Sequence, residues 1–288
     1  MPFVCGENVT NMKFWKYQGA GNDFVMLDQR GHQWLTRENT DKIAHLCDRR
    51  FGIGADGLIL LQHHPGYDFE MVYFNADGRE STMCGNGGRC IAAFARYLGV
   101  IGRHGRFWAI DGEHEAVLSG TPDHMKQQGA NDREAGLWVE LKMSDVQSVE
   151  RQDNVFILDT GSPHYVRFEN DLQQIDMVRE GRAVRYSEKF QKEGINVNLV
   201  RVNADSSLDI RTYERGVEDE TLACGTGVTA AAIASYLHGG SNAEQAEVPV
   251  HAKGGDLAVR FRSNGNGTFS EIWLCGPAVR VFEGEISL

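Results

Sequence analysis

Two of the six cysteines in this 288-residue chain sit in matching settings, Cys84-Gly85-Asn86-Gly87 and Cys224-Gly225-Thr226-Gly227, and a helical pattern follows each. A helix N-terminus offers backbone N–H groups without intrahelical partners and carries roughly half a positive charge. A thiol there is expected to ionise more easily than its unperturbed pKa of about 8.5. The amides of Gly85, Asn86, Gly225 and Thr226 are expected to hold a carboxylate, and glycine lets the backbone approach it without a Cβ in the way. If the two helix starts face one another, an α-carbon beside that carboxylate lies between two sulfurs. One thiolate then removes the α-proton and the opposite thiol returns a proton to the other face, which inverts the centre by general acid–base catalysis. Amides and helix dipoles stabilise the charge that develops on the carboxylate. The scheme needs no electron-sink cofactor and no metal. Taken alone, either cysteine reads as a small buried hydrophobe; two in register call for a shared explanation.

The remaining cysteines, Cys5, Cys47, Cys90 and Cys275, do not form a disulfide framework in a chain of this size. Cys84 and Cys90 stand too far apart in sequence for a common structural zinc site. A formal net charge of -11 argues against a nucleic acid or an anionic membrane as partner, which leaves small molecules and proteins. No run approaches the roughly 18 apolar residues of a membrane span. The start MPFVCGENVTNMKFW lacks the basic and apolar regions of a secretory signal, so a cytoplasmic location is expected.

The elements that must position the cysteines are legible from periodicity. Ile91, Phe94, Ala95 and Leu98 mark one apolar helix face, and Ala230, Ile233, Ala234 and Leu237 repeat the spacing. The second helix has no charged residue between Gly225 and Leu237, as expected of a buried helix. Gly99 and Gly239-Gly240 end the two helices. Strands are expected at Phe24 to Asp28, Gly57 to Leu61, Phe69 to Phe74, Leu137 to Met143, Val155 to Leu158 and Leu208 to Tyr213. Three more are expected at Leu257 to Arg262, Ile272 to Leu274 and Val279 to Phe282.

The segment YFNADGRESTMCGNGGRCIAAFARYLG is echoed by TYERGVEDETLACGTGVTAAAIASYLHG about half the chain later. This implies an α+β fold of two similar domains with few helices. The first spans residues 1–130 and carries Cys84; the second spans residues 131–275 and carries Cys224. The boundary falls in the polar, glycine-rich stretch of residues 120–136, and residues 276–288 return to the first domain.

From Met12 to Leu288 the chain resembles the diaminopimelate epimerase family. The resemblance is carried by MKFWKYQGAGNDF, RRFGIGADGLIL, FNADGRESTMCGNGGRC, GSPHYV, INVNLV and RTYERGVEDETLACGTG. It implies two pseudo-symmetric domains, each a strand-rich sheet wrapped around a central helix, with the site between them. The implied activity is cofactor-independent epimerisation of LL- to meso-diaminopimelate, in lysine and peptidoglycan precursor synthesis, by a homodimer. By the same resemblance Cys84 and Cys224 are the catalytic pair, and Gly85, Asn86, Gly225 and Thr226 hold the reacting carboxylate. Asn22, Asn75, Asn196, Glu214 and Arg215 contact substrate, while His164 and Glu214 are polar groups beside the cysteines. Arg215 suits the carboxylate of the distal end, and asparagines suit a zwitterion because each both donates and accepts.

Two positions that touch substrate in relatives depart from the usual pattern. Ser162 replaces asparagine before Pro163-His164, and Asp56-Gly57 replaces Asp-Gln. Proline- and histidine-type racemases share the two-cysteine architecture, but a single-ended amino acid would leave Arg215 and the asparagines less to bind. A hydrolase using one cysteine with His164 would give no reason for the second Cys-Gly-x-Gly, and a binding protein would leave its ligand unchanged. Met1 to Asn11 precede the family's own start at Met12 and are expected to be dispensable. A chain beginning at Met12 should keep full activity and stability, so a large loss of either in assay or thermal melt refutes the expectation.

Overall fold

A computed structural model gives the fold of residues 11–120 and 136–287. Cys5, the tail of residues 1–10 and the boundary expected near residue 130 lie outside the described residues.

Alternation of apolar and polar residues gives strands with one face to a core. The first of them close into a barrel. β1 (Asn11–Gly19) pairs with β2 (Asn22–Asp28), and β2 runs parallel to β3 (Gly57–Gln62). β3 pairs with β4 (Phe69–Asn75), whose edge carries the two-residue β5 (Glu80–Ser81) and then, in parallel, β6 (His104–Ala109). β7 (Gly112–Ser119) and β8 (Leu137–Lys142) continue the antiparallel sequence.

The remaining strands form a second row. β9 (Val149–Gln152), β10 (Val155–Asp159), β11 (Pro163–Phe168), β12 (Asn196–Val202) and β13 (Leu208–Glu214) follow one another, and β14 (Asp219–Thr221) lies against β13. β15 (Gln245–Ala252) joins β13, β16 (Gly255–Ser263) joins β15, and β17 (Phe269–Ser287) joins β16. β17 also pairs with β8 and then with β1, which closes the first circuit.

The sequence pattern places separate strands at Ile272 to Leu274 and Val279 to Phe282; the structure has one strand of 19 residues through both. Gly276-Pro277 does not break it, for a reason of neighbours. β16 pairs with β17 only as far as Cys275, and β1 begins pairing at Val279. Between them only β8 is paired, so the missing N–H of Pro277 falls where one edge needs no donor.

Four helices complete the described residues: α1 (Thr40–Cys47), α2 (Gly85–Tyr97), α3 (Met177–Arg185) and α4 (Gly225–His238). None is long and apolar enough to cross a membrane. α2 and α4 are the two helices read from periodicity, and Gly99 (φ 72°) and Gly240 (φ 65°) end them in the left-handed region. α2 packs on β1, β2, β3, β7, β8 and β17; α4 packs on β10, β11, β12, β13, β15, β16 and β17. One continuous apolar cluster runs from Trp15, Phe94 and Leu141 to Val166, Ile233, Phe261 and Ile272.

α1 and α3 escaped the periodicity reading. α3 is polar and contains Gly181, both of which weaken a helix signal. Its start is fixed instead by Asp176, whose carboxylate accepts from the Arg179 amide at 3.1 Å. A Cβ at Gly181 would lie 2.4 Å from the ring of Tyr213, which is fully buried. Alanine favours a helix interior by about 1 kcal/mol over glycine, but overpacking costs roughly 1–3 kcal/mol. Gly181→Ala should therefore lower the thermal midpoint; a rise would mean that the Tyr213 ring yields freely.

Candidate active site

Cys84 and Cys224 are the N-cap residues of α2 and α4, both with extended backbone (φ/ψ -92°/133° and -109°/111°). The first helical hydrogen bonds run from Gly88 N to Cys84 O (2.7 Å) and from Val228 N to Cys224 O (2.9 Å). The amides before them are left to serve the site.

The two helix starts meet head to head. A Cβ built on Gly85 would lie 3.6 Å from Gly225 Cα, and one built on Gly225 would lie 3.4 Å from Gly85 Cα. Each would also press on Leu274 Cδ2, at 2.9 and 2.7 Å, so a single methyl group of β17 underlies both glycines. The second glycine of the α4 motif has its own reason. A Cβ on Gly227 would stand 2.5 Å from Asn198 Oδ1 and 3.4 Å from His164 Cε1.

The expectation that both thiols ionise easily is corrected by burial. Desolvation pushes Cys224 up to about 12, and the charges of Glu214 and Cys84 push the same way. Against this, its sulfur takes hydrogen bonds from Thr226 Oγ1, at 3.4 Å, and from the Gly227 amide. Desolvation also raises Cys84, with Glu214 again in the same sense, although the amides of Gly87 and Asn86 and the charge of Arg89 oppose it. The helix-end potential is present but loses to the cost of burying an anion. At neutral pH the resting site holds two thiols. Burial likewise raises the Glu214 carboxyl.

Beside Cys224 lies a directed chain of polar groups. His164 is fully buried, and desolvation, with the nearby charge of Arg215, lowers its pKa to about 3. Asn198 accepts from Thr212 Oγ1 (3.0 Å) and donates to Tyr165 O (3.1 Å), which orients its amide to donate to His164 Nδ1 (3.1 Å). The imidazole is therefore neutral with its hydrogen on Nε2, 3.0 Å from Ser162 Oγ. Ser162 Oγ also accepts from Asn196 Nδ2 (3.2 Å), so its own hydrogen goes to Thr226 Oγ1, 3.2 Å away. Thr226 is left to donate to the Cys224 sulfur.

A different network stands beside Cys84. Asn86 Nδ2 donates to Asn22 Oδ1 (2.6 Å) and to Ala223 O (3.2 Å), joining one helix start to the residue before the other cysteine. Asn22 passes the chain on to Asp56 Oδ2 (3.0 Å), and Arg49 pairs with Asp56 and Asp23. The departure at Gly57 has a steric cause: a Cβ there would stand 2.5 Å from Phe74 O and 2.6 Å from the Tyr73 ring.

The structure brings Cys84, Cys224, Gly85, Gly225, Asn22, Asn86, Ser162, His164, Asn196, Glu214, Arg215 and Thr226 into this connected neighbourhood. Asn196 spends both Nδ2 hydrogens on Ser162 Oγ and Pro163 O, while its Oδ1 accepts from the Arg215 amide at 2.9 Å. Arg215 is exposed; Nη1 donates to Glu193 O at 2.9 Å, and no carboxylate among the described residues pairs with it. Asn75 ends β4 and is exposed, with no side-chain hydrogen bond to the described residues. Arg89, Asn198 and Thr212 were not read as site residues. Asn198 had a sequence signal, an asparagine two residues from Asn196 in an apolar strand. Among the described residues no group of three or more His, Cys, Asp or Glu is placed to hold a metal ion.

The profile of the diaminopimelate epimerase family matches residues 14–106 and 156–281. A diaminopimelate epimerase from Flavobacterium psychrophilum is 47% identical over 96% of this chain and 100% of its own. The one from Chlorobaculum tepidum is 42% identical over 94% and 99% respectively. Among solved structures, a Bacillus anthracis phenazine biosynthesis protein of the PhzF family superposes with a TM-score of 0.72 at 14% identity, covering 97% of this chain and 100% of that one. A hydroxyproline epimerase from Agrobacterium vitis gives 0.65 at 12%, covering 96% and 93%. At such identities these structures speak for the fold alone. By sequence the chain belongs to the diaminopimelate epimerase family.

Proposed function

We propose that this chain interconverts LL- and meso-diaminopimelate by exchanging the α-proton between Cys84 and Cys224, without an electron-sink cofactor, in lysine and peptidoglycan precursor synthesis. The observation that carries the reading is the head-to-head meeting of two helix starts, each capped by a cysteine. A carboxylate held by the amides of Gly85, Asn86, Gly225 and Thr226 faces two positive poles at once. Its α-carbon then stands between the thiols, and the same amides stabilise the carbanionic charge that spreads onto the carboxylate.

In the resting enzyme both sulfurs are protonated. Glu214, whose charge raises both thiols, is the group through which a sulfur exchanges its proton. Thr226, aimed by Ser162 and the neutral His164, stabilises charge on Cys224. The distal amino-acid end falls to Arg215, Asn75 and Asn22. Asn196 and Ser162 act there through hydrogen bonds already made. An exposed guanidinium that pairs with no carboxylate among the described residues favours a two-ended substrate over the single-ended amino acids of proline-type racemases.

The same reading takes residues 1–130 with 276–288, and residues 131–275, as two pseudo-symmetric halves wound around α2 and α4. It is supported by the barrel closed through β17 on β1 and by the strands that each helix packs against. A homodimer belongs to this reading, supported by the exposed apolar side chains of Tyr97, Val281 and Phe282. So does a cytoplasmic location, which suits the free thiols of Cys47, Cys84, Cys90, Cys224 and Cys275.

Cys84→Ala and Cys224→Ala should each cut epimerisation by at least ~10³-fold. The assay is incubation of LL-diaminopimelate in heavy water, read by α-deuteration and loss of optical purity; an active double variant sinks the proposal. Because burial raises both thiols, they are protonated below their shifted values. Iodoacetamide alkylation of Cys84 and Cys224 in the free protein, followed peptide by peptide, should keep accelerating beyond pH 9. A rate plateau below pH 8 would mean that a thiolate already rests in the site.

A further inference from the structure

One turn into α2, Arg89 is fully buried, at 0% exposure. Its Nη2 donates to Asn86 Oδ1 at 2.8 Å, and Nη1 lies 3.4 Å from Gly85 O. Nε has no hydrogen-bond partner, and no carboxylate among the described residues pairs with the guanidinium. Desolvation lowers its pKa, and the ionisable groups close enough to oppose this, were they to ionise, are the thiols of Cys90, Cys84 and Cys275. Arginine stays charged even when buried, so the interior holds a cation without a counter-anion among the described residues, an arrangement that destabilises a fold. Gly276 of β17 leaves room both for it and for Leu257: a Cβ there would stand 2.3 Å from Leu257 Cδ2, 3.1 Å from Arg89 Nε and 3.2 Å from Cζ.

The cation stands directly behind the site. Asn86, which accepts from Arg89, donates in turn to Asn22 and to Ala223 O, next to Cys224. We infer that Arg89 is a positioning residue whose fixed charge, delivered behind Asn86 and the α2 N-terminus, favours both the Cys84 thiolate and a substrate carboxylate at the junction of the two helices. The anion that balances it arrives with the substrate or forms at Cys84 during turnover. This rests on the proposed reaction, but its first readout, the alkylation of Cys84, needs no turnover.

The variants are Arg89→Met, Arg89→Gln (which can still donate to Asn86 without charge) and Arg89→Lys. In Met and Gln, alkylation of Cys84 at pH 8 should slow about tenfold, as for a thiol shifted up by about one pH unit, while Cys224 changes less. Their kcat/KM on diaminopimelate should fall ~100-fold, with no drop in thermal midpoint, since an unpaired buried charge has been removed. Arg89→Lys should recover at least a tenth of the activity and most of the Cys84 reactivity. Unchanged Cys84 alkylation in a folded Gln variant, or a folded Lys variant no more reactive at Cys84 than Gln, overturns the inference, as does an activity loss that merely follows a lowered midpoint. If Cys84 responds as expected while wild type fails to epimerise, the positioning role stands and the proposed substrate falls.

Discussion

Everything at the centre of this molecule depends on two glycine α-carbons in near contact. Gly85 and Gly225 let the N-termini of α2 and α4 meet, and any side chain on either would strike Leu274 and separate them. The contact sets like poles against each other. Two half charges a few ångströms apart, at an effective dielectric of about 20, repel by about 1 kcal/mol. The surrounding core must hold them together, which it does through one apolar cluster that includes both helices. What relieves the repulsion is an anion, so the fold itself carries a standing preference for a carboxylate at this point.

The same burial that assembles the poles also keeps the sulfurs protonated. A helix end favours a thiolate, but removal of water disfavours it more, and the balance falls on the neutral side for both cysteines. The supports differ. Cys224 is served by a hydroxyl whose direction is fixed through Ser162, His164 and Asn198. Among the described residues no such hydroxyl serves Cys84; amides and a buried arginine stand behind it. Two matching Cys-Gly-x-Gly helix starts thus carry chemically distinct sulfurs, as suits a site that must treat two mirror-related faces of one carbon.

The cysteines, the helix starts and most strands were legible because each rests on local pattern: a repeated Cys-Gly-x-Gly, apolar spacing of three and four, and alternation bounded by glycine. Three things were not. The ionisation of the thiols depends on how much water the assembled halves exclude, which no local pattern encodes. Arg89 reads in sequence as an ordinary helical arginine, and only the packing of strands on α2 reveals that no carboxylate among the described residues pairs with it. The continuity of β17 across Gly276-Pro277 depends on which neighbours flank the strand there. Ser162 was noted as a departure from the family's asparagine; the structure supplies its use, as the hydroxyl between a fixed imidazole and Thr226.

The long final strand has a consequence for how the chain is made. During synthesis β1 is made long before its partner along the register Asn11 to Gln18, which lies in β17. The barrel closed by β1 must therefore wait, with an unpaired seam, until β17 has been made, a non-local closure of the slow kind. The sheet beside Cys224 receives its last strand from the same segment. One strand thus completes the sheet beside each cysteine, and the reaction centre is finished only once β17 is in place.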